Sequence, residues 1–249
     1  MKQLLYIYIA LFSTVIFAQN QSLFEQGNQF YNDGKYAEAI EKYQAILNTN
    51  NHSEALYFNL ANSHYKLNHI GPSIYYYEKA LQLAPDDQDI KNNLAFAKNM
   101  TIDAIDVLPE AGFSKLSKKV TDIMSFHNWA KVAVGSVLMF VIIFLLYYVT
   151  YSTGKKRLAF ITSNLFLFLA IFSVVIAFHK YNLSKKDQPA IVFAQETVIK
   201  SEPNKRSQEL FRLHEGTKVQ ILDTVNQWKE IKLADGKIGW IENEDIKEL

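Results

Sequence analysis

The chain contains no cysteine, so disulfides, thiolate nucleophiles and thiolate-bound metals are excluded together. It also lacks an excess of charge. Lys and Arg number 26 against 25 Asp and Glu, a net charge of +1, and no basic face marks a nucleic-acid binder. Catalytic signatures are missing as well. The six histidines, His52, His64, His69, His127, His179 and His214, are scattered. His64 and His69 straddle a helix end and make a poor metal pair, and no zinc-protease spacing occurs. There is no nucleophile elbow. The run Asp235-Gly236-Lys237-Ile238-Gly239 lacks the glycine spacing and the closing Lys-Ser or Lys-Thr of a phosphate loop, and it reads as a hairpin turn. Nothing here points to an enzyme, a metal or a cofactor. A length of 249 residues leaves room for two or three parts.

Charge is also absent from long apolar runs. Residues 4–18, LLYIYIALFSTVIFA, follow Lys2 and end at Ala18 before QNQS. They are short for the roughly 20 residues a membrane span needs. With a positive start and a small residue at the end, residues 1–18 read as a secretory signal; an uncleaved anchor is the alternative. Either way, the chain beyond residue 18 is exported. Residues 132–149 and 158–178 carry no charged side chain. At about 1.5 Å per residue each reaches across a hydrocarbon core of about 30 Å. Transmembrane helices are expected over 129–150 and 158–178, joined by a cytoplasmic loop, 151–157, that holds Lys155, Lys156 and Arg157. The outer flanks are basic too (Lys118, Lys119 and Lys131; Lys180, Lys185 and Lys186), so orientation rests on the signal. Both soluble parts then lie on the non-cytoplasmic side.

The N-terminal soluble part repeats itself. GNQFYNDGKYAEAI at 27–40 returns as ANSHYKLNHIGPSI at 61–74, and Ala95 begins a third echo. Gly27 and Ala61, Asn28 and Asn62, Tyr31 and Tyr65, and Tyr43 and Tyr77 are each 34 positions apart, a period of stacked units. Ser22 with Glu25 suggests a capping box. Leu23, Phe24, Gly27, Phe30 and Tyr31 trace one helical face, and Tyr36, Ala39, Ile40, Tyr43 and Ile46 a second after Asp33-Gly34. Gly71-Pro72 turns the next unit, with Pro72 expected at a first helical position. Small residues at Gly27, Ala61, Ala95, Ala39, Ser73 and Ala80 let paired helices cross closely, and Tyr43 and Tyr77 fill the space between units. These residues resemble the tetratricopeptide repeat, with repeats at 21–53 and 54–87 and a capping helix at 88–105. Ile46 stands where that family usually has alanine. The resemblance implies a solenoid whose first helices line a concave groove. By position the groove would hold Phe24, Asn28, Tyr31, Phe58, Asn62, Tyr65, Lys66 and also Phe96. For the rings, core packing is the competing role. Asn28 and Asn62 suit recognition of an extended peptide backbone.

Residues 106–128 carry Pro109 and Gly112, then Phe113, Leu116, Val120, Ile123 and Met124 among lysines. They read as a linker with an amphipathic helix, either on the membrane surface or packed on the repeats, and Trp129 is placed at the interface. Over 190–249 the pattern changes to alternation in KVQIL and KEIKL, with turns at Glu215-Gly216 and Asp235-Gly236. Gly216, Val219, Trp228, Ile231, Gly236, Gly239, Trp240 and Ile246, in that order, resemble the bacterial SH3-like domain. Trp228, Gly239 and Trp240 are its structural or binding positions: Gly239 for a strand bend, Trp240 as a plug at one end of a small all-β barrel. The usual ligand segment is replaced by AQETVIKSEPNKRSQELF.

The whole expectation is a multi-domain membrane protein: an all-α repeat solenoid, a two-helix transmembrane hairpin and a small all-β SH3-like barrel. In that order the parts resemble the BatE family of the Bacteroides aerotolerance operon. The resemblance implies a two-pass protein of the bacterial inner membrane with both soluble domains in the periplasm. It also implies protein partners in the membrane that carry von Willebrand A domains. Two functions are expected from this: an interaction scaffold, or a wall anchor whose tail grips peptidoglycan while the repeats recruit an enzyme.

Overall fold

The computed structural model describes residues 19–106, 112, 119–121, 123–186 and 188–249. The expected signal and most of the expected amphipathic segment lie outside the described residues. Helix α1 covers 19–32. Because residues 19–21 are already helical, Ser22 does not cap. It accepts from Gln26 Nε2 at 3.2 Å, and Glu25 accepts from Gln21 Nε2 at 2.9 Å, both i,i+4 pairs on the helix surface. Gly34, at φ 75°, turns the chain into α2, Tyr36–Leu47. Helix α3, Glu54–Lys66, starts with Ser53 Oγ accepting from Leu56 N at 3.2 Å. Helix α4 is Ile70–Leu83, and α5, Gln88–Lys98, is capped by Asp87, whose Oδ1 accepts from Ile90 N at 3.0 Å. Pro72 falls at the third position of α4 rather than the first, still among the four N–H groups a helix leaves unpaired.

The small positions are where helices meet. A Cβ at Gly27 would stand 2.4 Å from the Tyr43 ring. Ala61 is fully buried, and its carbonyl accepts from Ser73 Oγ at 3.0 Å. Ile46 is buried as well, so the family departure is absorbed in the core.

The tail is an antiparallel sheet in the order β3-β2-β6-β5-β4-β1-β7. Its strands are β1 Pro189–Val192, β2 Glu196–Lys200, β3 Glu209–His214, β4 Lys218–Val225, β5 Trp228–Lys232, β6 Ile238–Glu242 and β7 Ile246–Glu248. Val192, Ile199, Leu213, Ile221, Ile231 and Ile241 fill its core. In β6 the inward residues are Gly239 and Ile241. A Cβ at Gly239 would meet Ile199 Cγ2 at 2.4 Å and the Lys200 carbonyl at 3.1 Å. Glycine is therefore required for close approach, not for a bend. Trp240 lies half-buried on the other side, opposite Lys200 and Glu230. It does not plug the interior, because strand alternation turns it away from the face that Ile241 occupies.

Repeats and tail are not separate. Among the described residues, 19–106 and Pro189–Leu249 form one compact unit. Ile191 of β1 is fully buried in the repeats' cluster beside Ile70, Ile74 and Tyr75. Phe193 meets Tyr75 edge-on at 5.6 Å.

The second unit holds, among its described residues, two helices, α6 (Phe126–Val149) and α7 (Thr153–Lys186), both long and apolar enough to cross a membrane. Only residues 150–152 join them, so Lys155, Lys156 and Arg157 fall on the first turns of α7. Buried Ala133, Ser136, Ser163, Ala170 and Ser173 allow the pair to close. Large apolar side chains point outward, with Leu138 59% and Phe168 68% exposed, a surface suited to lipid rather than water. The Trp129 indole is buried against Phe172, and its Nε1 donates to the Thr121 carbonyl at 3.3 Å.

Removing part of the shared core should loosen both halves of the first unit. Ile191→Ala should cost about 2–5 kcal/mol. In denaturant, helix ellipticity and tail tryptophan fluorescence should still fall in one shared transition at a lower midpoint. Two separate transitions in the unsubstituted chain would contradict the shared core.

Candidate functional site

A hydrogen-bond ladder with the period of the sequence runs through the repeats. The Tyr43 hydroxyl donates to Asn28 Oδ1 at 2.7 Å, and Asn59 Nδ2 donates to the same oxygen at 2.9 Å. One repeat later the Tyr77 hydroxyl and Asn93 Nδ2, the latter at 3.1 Å, donate to Asn62 Oδ1. Each ladder ties a first helix to its own second helix and to the next first helix. Burial pushes the Tyr43 phenol up to about 12, and burial raises Tyr77 too, so both stay protonated donors at neutral pH. Phe24 packs on Tyr43 at 5.8 Å and Phe58 on Tyr77 at 6.0 Å. Asn59 and Asn93 escaped the sequence reading, although their own spacing of 34 carried the signal.

This divides the expected groove residues. Asn62, Tyr31, Tyr65, Lys66 and Phe96 come together, with Tyr77 and Asn93, around a cavity of about 170 Å³. Phe24 lies instead beside a second cavity, of about 250 Å³, with Asn20, Ile46, His52 and Leu56. Asn28 and Phe58 line neither, and both have packing roles. In the first cavity Asn62 Oδ1 already accepts twice. Its amide N–H groups, the tyrosine hydroxyls and the Lys66 ammonium leave the site richer in donors than in acceptors.

The contact between α4 and the tail uses a different face of that helix from the one carrying Tyr77. The Gly71 N–H donates to Glu215 Oε1 at 2.8 Å, placing a carboxylate on the positive end of a helix. Glu78 bridges Lys98 at 2.9 Å and Lys218 at 2.8 Å. Asp103 accepts from His214 N at 2.7 Å and Thr217 Oγ1 at 2.6 Å, and its other oxygen pairs with His214 Nδ1 at 2.7 Å. Burial alone would raise the Asp103 pKa, but the bonds from Thr217 and His214 outweigh it and lower it. Burial likewise works against Glu78, and Lys218, then Lys98, bring its net shift downward. Lys247 stands 4.7 Å over the Tyr75 ring, a cation–π contact.

Nearby, His64 and His69, expected to make a poor metal pair, stand side by side. The last turn of α3 and the start of α4 fold their Nδ1 atoms to 3.3 Å. Burial, then His69 and Lys247, depress the His64 pKa to about 4, so its imidazole is neutral at pH 7. Among the described residues no group of three or more His, Asp or Glu is placed to hold a metal.

On the tail a cavity of about 530 Å³ is lined by Thr197, Lys200, Lys205, Arg212, Trp228, Glu242 and Asp245 among others. Trp228 is buried there. Arg212 pairs with Glu196 at 2.6 Å, and Lys205 with Glu242 at 3.3 Å. Trp228 thus reaches a site; Gly239 shapes the core behind it, and Trp240 is not part of its lining.

Comparison with known families agrees with both halves. The bacterial SH3 domain family matches residues 197–247, and the tetratricopeptide repeat family matches residues 54–87. A search of curated proteins finds no match to the chain.

The depressed carboxyls set a pH dependence. A group whose pKa is lower in the fold stabilises it above its unfolded value and stops doing so as pH falls through its folded value. The contact between α4 and the tail should therefore hold at neutral pH and begin to weaken below the ordinary carboxylate values, 3.8 for Asp103 and 4.5 for Glu78. Acid titration of the full chain, followed by hydrogen exchange at the Gly71 amide, should show protection lost in that range. Glu78→Gln should flatten the response, and an unchanged titration in that variant would exclude Glu78 as its source.

Proposed function

We propose that the chain is a membrane-anchored, non-catalytic scaffold that binds one partner protein or peptide in the repeat groove and a second partner at the tail. The observation that carries this reading is the single body formed by repeats and tail, with the groove cavity and the tail cavity both open on it. A groove rich in donors suits the carbonyls of an extended peptide, and tetratricopeptide repeats and bacterial SH3 domains are interaction modules. The shared core also bears on topology. Segments that fold together must lie on the same side of a bilayer, so the chain between them crosses an even number of times. Two crossing helices and a short turn meet that requirement. Exported by its N-terminal signal, the pair would hold both soluble parts on the periplasmic face of a bacterial inner membrane. Confinement there raises their effective concentration for membrane partners without any new contact. The likeness to the BatE family supports partners with von Willebrand A domains and a role in aerotolerance or stress.

A second reading has its own support. The tail cavity sets Trp228 among charges of both signs, a lining suited to a short peptide with ionised ends, and cell-wall peptides are of that kind. The tail would then anchor the chain to peptidoglycan while the repeats recruit an enzyme.

The discriminating experiment is cross-linking in intact cells followed by identification of partners, beside binding of the full chain to purified wall sacculi. Tyr65→Ala and Lys66→Glu probe the groove without breaking the ladder that Asn28→Ala or Asn62→Ala would break. The scaffold reading expects specific membrane proteins whose recovery falls at least fivefold in these variants, and no sacculus binding. Sacculus binding that Trp228→Ala abolishes, with recovery unaffected by the groove variants, would replace it with the wall anchor.

A further inference from the structure

The helical stack ends on a face that the first two repeats cover and the third leaves open. In the first repeat Gly27 lies under the Tyr43 ring, 2.4 Å from where a Cβ would stand, between the Phe24 ring and the Asn28 amide. In the second, Ala61, Phe58 and Asn62 receive α4 and Tyr77 in the same way. Thirty-four positions on, Ala95 stands on α5 between Asn92 and Phe96, all three exposed. Small residue, amide and ring are present again, with amide and ring exchanged, and among the described residues no helix lies over them. The residue 34 beyond Tyr77 is Ala111, which lies outside the described residues. A solenoid normally ends on a polar outer face. Beside the exposed polar Asn92, Lys98 and Asn99, this one presents Phe96 at 60% exposure and Ile102 at 73%, with Met100 between them.

We propose that the open end docks one amphipathic helix of a partner protein, laid on α5 as α2 lies on α1 and α4 on α3. An aromatic side chain sits over Ala95, and an alanine or serine occupies the close crossing, as Ala39 and Ser73 do within the chain. The face continues an interface already built twice, and that interface defines the shape and chemistry of what covers it. The face shares Phe96 with the groove cavity, but its centre, Ala95, and Met100 lie outside that lining.

The absence of cysteine makes the test direct. Ala95→Cys places the only thiol of the full chain at the centre of the face. The probe is a peptide of residues 69–85, this chain's own second-helix sequence, carrying Tyr77→Cys. In a thiol-exchange buffer the mixed disulfide should exceed that of a scrambled peptide at least tenfold, and Met100→Asp should return it to the scrambled level. Equal trapping of the two peptides would overturn the proposal. So would preferential pairing of Ala95→Cys chains with one another, which would make a second copy the occupant. Protection of that thiol from a small maleimide before any peptide is added would also overturn it, since the chain would then cover its own end.

Discussion

At Gly71 a side chain would force the tail to give, because the Glu215 side chain lies 2.8 Å, and the Val192 carbonyl 3.0 Å, from where a Cβ would be. The same residue gives its backbone N–H to Glu215. A helix start that would otherwise leave donors open to water is closed by a carboxylate 144 residues away in sequence. Around this point Ile191 enters the repeats' core, Asp103 gathers His214 and Thr217, and Glu78 holds two lysines. Exposed ion pairs alone contribute little. Here they rim a buried apolar centre, and burial of Ile191, Tyr75 and Ile74 supplies the larger share of the attraction. Two modules that a flexible linker would let drift apart are thereby held as one body.

That contact bears on the proposed membrane arrangement. Two segments that fold together lie on one side of any bilayer, and under the proposed topology the two apolar helices return the chain to that side. Charge does not distinguish the two orientations, since the first turns of α7 and both flanks are basic. Packing of the tail on the repeats is what supports the proposed topology. It also separates the candidate sites: the tail uses one face of α4, and the groove uses the face that carries Tyr77. A partner in the groove and another at the tail cavity need not compete.

The period, the helices, the tail's strands and the apolar pair were legible because each rests on local pattern: spacing by 34, alternation, and runs without charge. Positions with two plausible roles were read less well. Asn28 and Asn62 looked like groove amides, and each is a buried-side acceptor for a tyrosine and a second asparagine; their partners Asn59 and Asn93 shared the same period. Trp240 looked like a plug because tryptophan is large, but alternation from Ile241 turns it outward. That the tight turn brings the Nδ1 atoms of His64 and His69 to 3.3 Å was not visible in their spacing across a helix end. The contact between repeats and tail left no local mark beyond Gly71, which reads as an ordinary turn glycine until the tail is in place.

The most direct test of the account is the sidedness of the chain. Gln29→Cys in the repeats, Lys232→Cys in the tail and Ser152→Cys in the turn would each be the sole thiol, probed with a membrane-impermeant maleimide on cells with a permeabilised outer membrane. The account predicts labelling at 29 and 232 from the same side, and at 152 only after the inner membrane is opened. Labelling of 29 and 232 from opposite sides would contradict it, because no shared core could then form.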